Sequence, residues 1–253
     1  MSALEGQPIG EWLDLPSGDE HAFRHHFAGD ALGRVHAITR PHDGWVDQTT
    51  PYRVDWGTAF FSALESSLDG RLRQAREYEQ RCGRTVRPGD GSLAGSEALL
   101  RAFVADHRRR WVPAREYALS HADGIQAHVT RDAGRTGEGP RWVVTGHVDL
   151  EDMAFMDARL PLAGYELGYE GPERRRCVPR EFWDGYRRHK EVDPMYGGAR
   201  ELFQLFYLLA WTRGLYRADH PDPAKQEREV QRFGRAIGGR ATNAAAAVGV
   251  VAP

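Results

Sequence analysis

The sequence predicts an α+β fold, mainly helical around one small β-hairpin, and three observations predict it. Apolar residues recur at helical spacing in several separate stretches. A single pair of strand-like segments, GIQAHVTRD and RWVVTGHVD, flanks the Gly-rich turn AGRTGEGP. The balance of 41% hydrophobic and 28% charged residues over 253 positions is that of a globular protein with a buried core.

Each element follows from its own pattern. From Glu20 to Thr39, the residues Phe23, Phe27, Ala31, Val35 and Ile38 form an apolar stripe behind the starter SGD, so a first helix is expected, with His25 and His26 facing solvent. A long second helix is expected from Val54 to Arg81 through Phe60, Phe61, Leu64, Leu68, Leu72 and Ala75. RCGRTVRPGDGS then reads as a connector, and its PGDGS as a turn: no strand precedes it and no lysine follows, as a phosphate loop requires. A third helix runs from Ser96 to His107 on Leu99, Leu100, Phe103 and Val104. REFWDGYRRHK, the strongly apolar ARELFQLFYLLAWTRGLY and the charged PAKQEREVQRFGRAI supply the remaining helices, the apolar one as core. The chain thus divides into a hinge-like opening segment at residues 1–19, a helical body at 20–240 and a tail at 241–253, ATNAAAAVGVVAP, which has no period and is expected to fray.

Composition excludes several function classes. A formal net charge of −2 gives no field-level reason to expect nucleic acid or an anionic membrane as partner. No apolar run reaches transmembrane length, and no basic-apolar-small pattern opens the chain. The two cysteines, Cys82 and Cys177, are widely separated with no CxxC pairing, which fits a reducing compartment; a cytoplasmic protein is expected. The basic runs HRRR at 107–110 and RRR at 174–176 read as solvated faces. Lysine occurs only at Lys190 and Lys225, and asparagine only at Asn243.

The chemistry gathers around LSHADGIQAHV, Leu119 to Val129, which reads as a turn entering a strand and carries His121, Asp123 and His128. Asp123 and Asp149 lie equally far on either side of Thr136, the centre of the hairpin turn. An antiparallel hairpin therefore brings both carboxylates to its open end beside His121, an arrangement suited to a metal ion and a polyanion. The same neighbourhood leaves a second reading open, a transition-metal site built from His121, Asp123, His128 and either His147 or Asp149. A regular strand would put Asp123 and His128 on opposite faces, so this set needs an irregular turn at Gly124.

In the order and spacing of its short motifs the chain resembles the aminoglycoside phosphotransferase and choline kinase group, relatives of the protein kinases. HAD at 121–123 matches the catalytic loop, and Asp149 in GHVDLED matches the second acidic residue beyond the hairpin. MDARLPLA, Met156 to Ala163, is similar to the segment that follows, ALGRVHAI at 31–38 to an earlier helix, and ALEGQPIGEWL to the hinge. The resemblance covers residues from about 3 to 218 and implies that the body is a kinase-like C-terminal lobe. It implies that Asp123 orients the acceptor hydroxyl, Asp149 holds magnesium on the phosphates of ATP, His121 supports the loop, and Asp157 braces it. The acceptor implied is a small molecule or a peptide.

Two departures stand against the family pattern. The asparagine expected as second magnesium ligand is His128, and an imidazole suits zinc, manganese or iron better than magnesium. The hinge-like segment lies close to Met1 and the first lysine is Lys190, so the nucleotide-cradling lobe and its lysine are expected to be missing. Three readings stay open: a phosphotransferase whose phosphate grip comes from a partner chain, a second copy or an unusual nucleotide pose, a pseudokinase that binds without chemistry, and a repurposed transition-metal site.

Overall fold

The computed structural model of the chain describes residues 7–8, 19–48, 54–121, 126–132, 141–148, 153–173 and 177–247. The fold is α+β and mainly helical, with small antiparallel sheets. It forms two compact units. The first comprises Met1–Arg53, Ala114–Tyr165 and Cys177–Asp193, and the second Val54–Pro113, Glu166–Arg176 and Pro194–Pro253.

In the first unit, α1 (Asp19–His36) packs on α5 (Arg180–Arg187). Contact between them is backbone to backbone. A Cβ at Gly29 would stand 1.9 Å from the carbonyl oxygen of Phe182, one at Gly33 2.5 Å from that of Tyr186, and one at Gly185 2.1 Å from that of His26. Glycine is therefore required at all three positions by proximity, with no contribution from unusual dihedrals. The buried face of α1 consequently carries His25, Ala28, Ala31, Leu32 and His36, while Ile38 is exposed beyond the helix end. This corrects two expectations. The bulky residues Phe27, Val35 and Ile38 do not define the inner stripe, and His25 is fully buried, with the Tyr165 hydroxyl 3.4 Å from its Nδ1. Small residues win the interface because they allow the helix axes to approach.

Two sheets complete this unit. The expected hairpin is present: β5 (Gln126–Asp132) pairs antiparallel with β6 (Arg141–Val148), and β1 (Gln7–Pro8), from the hinge-like opening segment, adds to the free side of β5. A second sheet escaped the sequence reading. Its order is β2 (Thr39–Arg40), β4 (Tyr117–His121), β7 (Met153–Met156), β3 (Gly44–Trp45). The segment read as a turn before Asp123 is thus strand as far as His121. These strands are too short to show a period-2 pattern, and both faces of β4 are largely covered, which removes the alternation a sequence pattern relies on.

The second unit holds α2 (Trp56–Arg81), α3 (Glu97–Arg109), α6 (Tyr196–Trp211) and α7 (Pro223–Ala247). Asp55 caps α2, accepting hydrogen bonds from the Thr58 backbone N–H at 3.0 Å and its hydroxyl at 2.6 Å. The stripe read from the sequence, Phe60, Phe61, Leu64, Leu68, Leu72 and Ala75, is buried as expected. It meets Leu100, Phe103 and Val104 of α3 and the interior face of α6, where Leu202, Phe203, Leu205, Leu208 and Leu209 are core residues. Trp56 stacks on Phe60 with centroids 5.1 Å apart, and Trp111 stacks on Trp56. The basic run at 107–110 is paired on the surface, Arg108 with Glu65 and both Arg109 and Arg110 with Asp106.

The segment after α2 is a turn, with Gly89 and Gly91 at positive φ. The Asp90 carboxylate accepts hydrogen bonds from the backbone N–H groups of Arg87 at 2.9 Å and Ser92 at 2.8 Å. The amides that a phosphate would need are therefore taken by the chain's own carboxylate. At the other end, α7 continues to Ala247, well into the segment expected to fray from residue 241. The tail lacks a period because it is alanine-rich, and alanine propagates a helix without one. No helix among the described residues is long and apolar enough to cross a membrane.

Candidate functional site

The strands around the acidic motif fix its frame. β4 ends with His121 opposite Met153 of β7, and β5 begins with Gln126 opposite Val148 of β6. The chain thus leaves one paired strand end, passes through residues 122–125, runs round the hairpin, and returns through 149–152 to the same pair. Asp123 belongs to the first connector and Asp149 to the second; both lie outside the described residues. Symmetry about Thr136 would pair Gln126 with Gly146, whereas Gln126 pairs with Val148. One residue of this slip is present already at Asp132–Arg141, and a bulge between His128 and Val129 adds the other.

His128 lies inside β5, opposite Gly146 on one side and Pro8 on the other; its side chain, like that of His147, lies outside the described residues. His121 is 2% exposed at the end of β4. A buried imidazole at a strand terminus can hold the connector that follows it. Beside it on β4, the buried Ser120 hydroxyl donates to the Ala118 carbonyl.

Asp157 follows β7 directly and is 1% exposed. Its carboxylate accepts from the backbone N–H of Arg159 at 3.0 Å, at the start of α4 (Arg159–Glu170). It also takes the guanidinium of the same residue, through Nε at 2.9 and 3.0 Å and Nη2 at 2.5 Å. Arg159 is itself 3% exposed, and Asp193 stands 3.9 Å from its Nε. The pair is a fully desolvated, bidentate ion pair that locks the turn between β7 and α4. Arg159 was not singled out from the sequence. Its signal was the Asp-Ala-Arg spacing, which lets one carboxylate cap a helix and fold the arginine back on itself.

A second fixed loop lies at the border of the four-stranded sheet. The Arg40 guanidinium donates to the backbone carbonyls of His42 at 2.8 Å, Gln48 at 2.7 Å and Trp45 at 3.2 Å, and it lies 4.1 Å from the centroid of the Phe155 ring on β7. In the second unit, Glu166 of α4 accepts from the Tyr196 hydroxyl and the Arg200 Nε, each at 2.5 Å, while Arg200 also pairs with Glu170. Burial raises the Glu166 carboxyl above its ordinary range despite the opposing pull of Tyr196 and Arg200.

His36, at the end of α1, is fully buried, with its Nδ1 2.9 Å from the Tyr186 hydroxyl. Burial, followed by the positive charge of Lys190, lowers its pKa from 6.5 to about 3. Lys190 is itself paired with Glu116, which also accepts from the Thr39 hydroxyl. Between those two values the unfolded chain binds a proton that the native state refuses, so stability falls as pH drops from about 6.5 towards 3. The expected slope is about 1.4 kcal/mol per pH unit. Denaturant melts at stepped pH test this: His36→Gln, which keeps a partner for Tyr186, should flatten the slope. Equal slopes in both proteins would refute it.

Among the described residues, no group of three or more His, Cys, Asp or Glu side chains could hold a metal ion. The residues expected to do so, Asp149 and His128, lie in the part whose side chains are outside the description. No family model matches the chain, and no curated protein matches it.

Proposed function

We propose that the chain is a kinase-like phosphotransferase of the aminoglycoside phosphotransferase and choline kinase type, transferring a phosphoryl group to a hydroxyl of a small molecule or peptide. One observation carries the proposal: two connectors, one with Asp123 and one with Asp149, join the same two pairs of strand ends. That topology supports a shared site for the two carboxylates. In this reading the Asp123 carboxylate accepts and orients the acceptor's O–H, since an ionised carboxylate is acceptor-only. Asp149 offers oxygen ligands of the kind magnesium prefers, and Mg-ATP supplies the phosphoryl group when bound. The Asp157–Arg159 pair steadies the chain after the second connector. This reading includes a partner protein or a second copy that supplies the cationic grip on the phosphates, the role the resemblance gives to a lysine.

Titration calorimetry with ATP and magnesium tests the nucleotide half. Asp149→Asn should weaken magnesium-dependent ATP binding at least tenfold, and Asp123→Asn should leave it intact. Labelled ATP offered with aminoglycosides, amino alcohols, sugars and Ser/Thr peptides tests the transfer half. There Asp123→Asn should lower transfer by about a hundredfold or more. If no nucleotide binds, with or without co-purifying proteins, the proposal fails.

One residue favours a second reading, a pseudokinase that binds a partner without chemistry. Position 128 offers an imidazole where the resemblance calls for an asparagine, and it sits in a strand paired on both sides. Under that reading both aspartate variants leave partner binding unchanged. A repurposed transition-metal centre would show instead as stoichiometric zinc or iron in metal analysis of the purified chain.

A further inference from the structure

One half-buried arginine of the second unit stands apart from the others. The remaining described guanidinium groups that are shielded from solvent there each have a carboxylate in reach: Arg84 has Glu79 at 3.2 Å, Arg200 has Glu166 at 2.5 Å, Arg232 has Glu229 at 3.2 Å and Arg240 has Glu201 at 3.7 Å. Arg71 of α2 is half-buried too, yet it forms no ion pair among the described residues. Its Nη1 donates to the Gln74 side-chain oxygen on the same helix and, at 3.2 Å, to the backbone carbonyl of Arg213.

That second contact brings another positive charge alongside. Arg213 belongs to the turn that follows α6 (Thr212–Gly214); it is exposed and likewise forms no ion pair among the described residues. Burial, followed by the positive charge of Arg213, lowers the Arg71 pKa, so the two guanidinium groups are close enough to oppose each other. The chain around Arg213 is tied down from two helices. The Arg81 Nη2 donates to the Tyr216 carbonyl at 2.8 Å, and the Gln226 amide of α7 donates to the carbonyls of Leu215 at 2.6 Å and Arg217 at 2.7 Å. The Thr212 hydroxyl donates to the Leu209 carbonyl at 2.9 Å. Two like charges are thus mounted side by side on a fixed frame, at a place where the same unit elsewhere supplies an acid.

We propose that Arg71 and Arg213 form a binding site for a phosphate dianion, either inorganic phosphate or the phosphate group of a small ester. Guanidinium groups match phosphate oxygens with paired N–H donors, and the anion accepts from both residues at once. A dianion offsets both positive charges, whereas a carboxylate offsets one. Arg213 stands in solvent and admits the ligand, and the frame around it spares the ordering that two free side chains would need on binding. No residue of this site belongs to the phosphotransferase site, so it stands whether or not that reading does.

Chemical modification of the full-length protein tests the site residue by residue. Phenylglyoxal reacts with exposed guanidinium groups, and peptide mass spectrometry follows Arg213 against Arg73, an exposed arginine of α2 that serves as internal control. Inorganic phosphate should slow modification of Arg213 at least about fivefold and leave Arg73 unchanged, because the bound dianion occupies the guanidinium. Glycerol phosphate forms a second arm: stronger protection by it assigns the site to esters, and weaker protection assigns it to the free ion. Acetate at the same ionic strength should protect neither arginine. Arg71→Gln, which keeps a donor for the Arg213 carbonyl and removes the charge, should abolish the protection. Phosphate held only around Asp123 and Asp149 would leave the Arg213 rate unaltered in both arms, and that result overturns the proposal. Equal protection of Arg73, equal protection by acetate, or protection that survives Arg71→Gln overturns it as well.

Discussion

Gly29→Ala should unfold the first unit at temperatures where the wild type is stable, with a loss of at least about 3 kcal/mol, above the usual range for overpacking. The reason is the rigidity of what the new methyl would strike. Its carbon would stand 1.9 Å from the Phe182 carbonyl oxygen, and a backbone oxygen within α5 cannot rotate away as a side chain would. Helices α1 and α5 would have to separate, taking with them the His36–Tyr186 contact and the burial of Ala28 and Leu32. Gly185→Ala should behave alike, its carbon facing the His26 oxygen at 2.1 Å. Gly70 in α2 and Gly168 in α4 are the controls, since a Cβ at either meets nothing within 4 Å. Alanine there should stabilise by up to about 1 kcal/mol. Thermal melts of the four variants settle the matter, and a neutral Gly29→Ala would show that the helices are not in backbone contact.

The second large effect is expected at Asp157. Asp157→Ala leaves the Arg159 guanidinium buried without its bidentate partner and should cost about 3–5 kcal/mol, the range for breaking one side of a buried ion pair. Asp193 offsets little of this, standing at 3.9 Å and partly in solvent. The double variant Asp157→Leu/Arg159→Met should recover most of the loss, because the buried guanidinium that lost its bidentate carboxylate is removed with it. It should stay about 1 kcal/mol short of the wild type, the usual contribution of a cap to the first turn of a helix. Chemical denaturation of the two single variants and the double one gives the coupling directly. Additive losses would mean that the two side chains do not act as one pair.

These two sites also mark the limit of what the sequence made legible. The stripe of α2 from Phe60 to Ala75 and the hairpin of β5 and β6 could be read because one face is apolar at a fixed period or because a Gly-rich turn separates two β-branched runs. The inner face of α1 was misread for a physical reason: periodicity analysis weights large apolar side chains, and this interface is made of glycines whose role is to be absent. The four-stranded sheet went unseen because β2 and β3 span two residues each and β7 four, too few for any period to register. At the candidate site, the acidic pair and the buried Asp157 were visible as motifs. The partner of Asp157 was not, because a pair only two residues apart in sequence looks like ordinary surface charge until the turn that folds it inward is known.

The loop held by Arg40 also bears on how the protein behaves at high concentration. β3 borders its sheet, and a border strand ordinarily offers its outward N–H and C=O groups to any neighbouring molecule. Here those groups are occupied from within: the Trp45 N–H donates to the Gln48 side-chain oxygen at 3.3 Å, and the Trp45 carbonyl accepts from the Gln48 N–H at 3.0 Å and from Arg40. A second copy approaching that rim finds no vacant ladder to extend, so the exposed Trp45 ring can stay in water without seeding intermolecular strand growth.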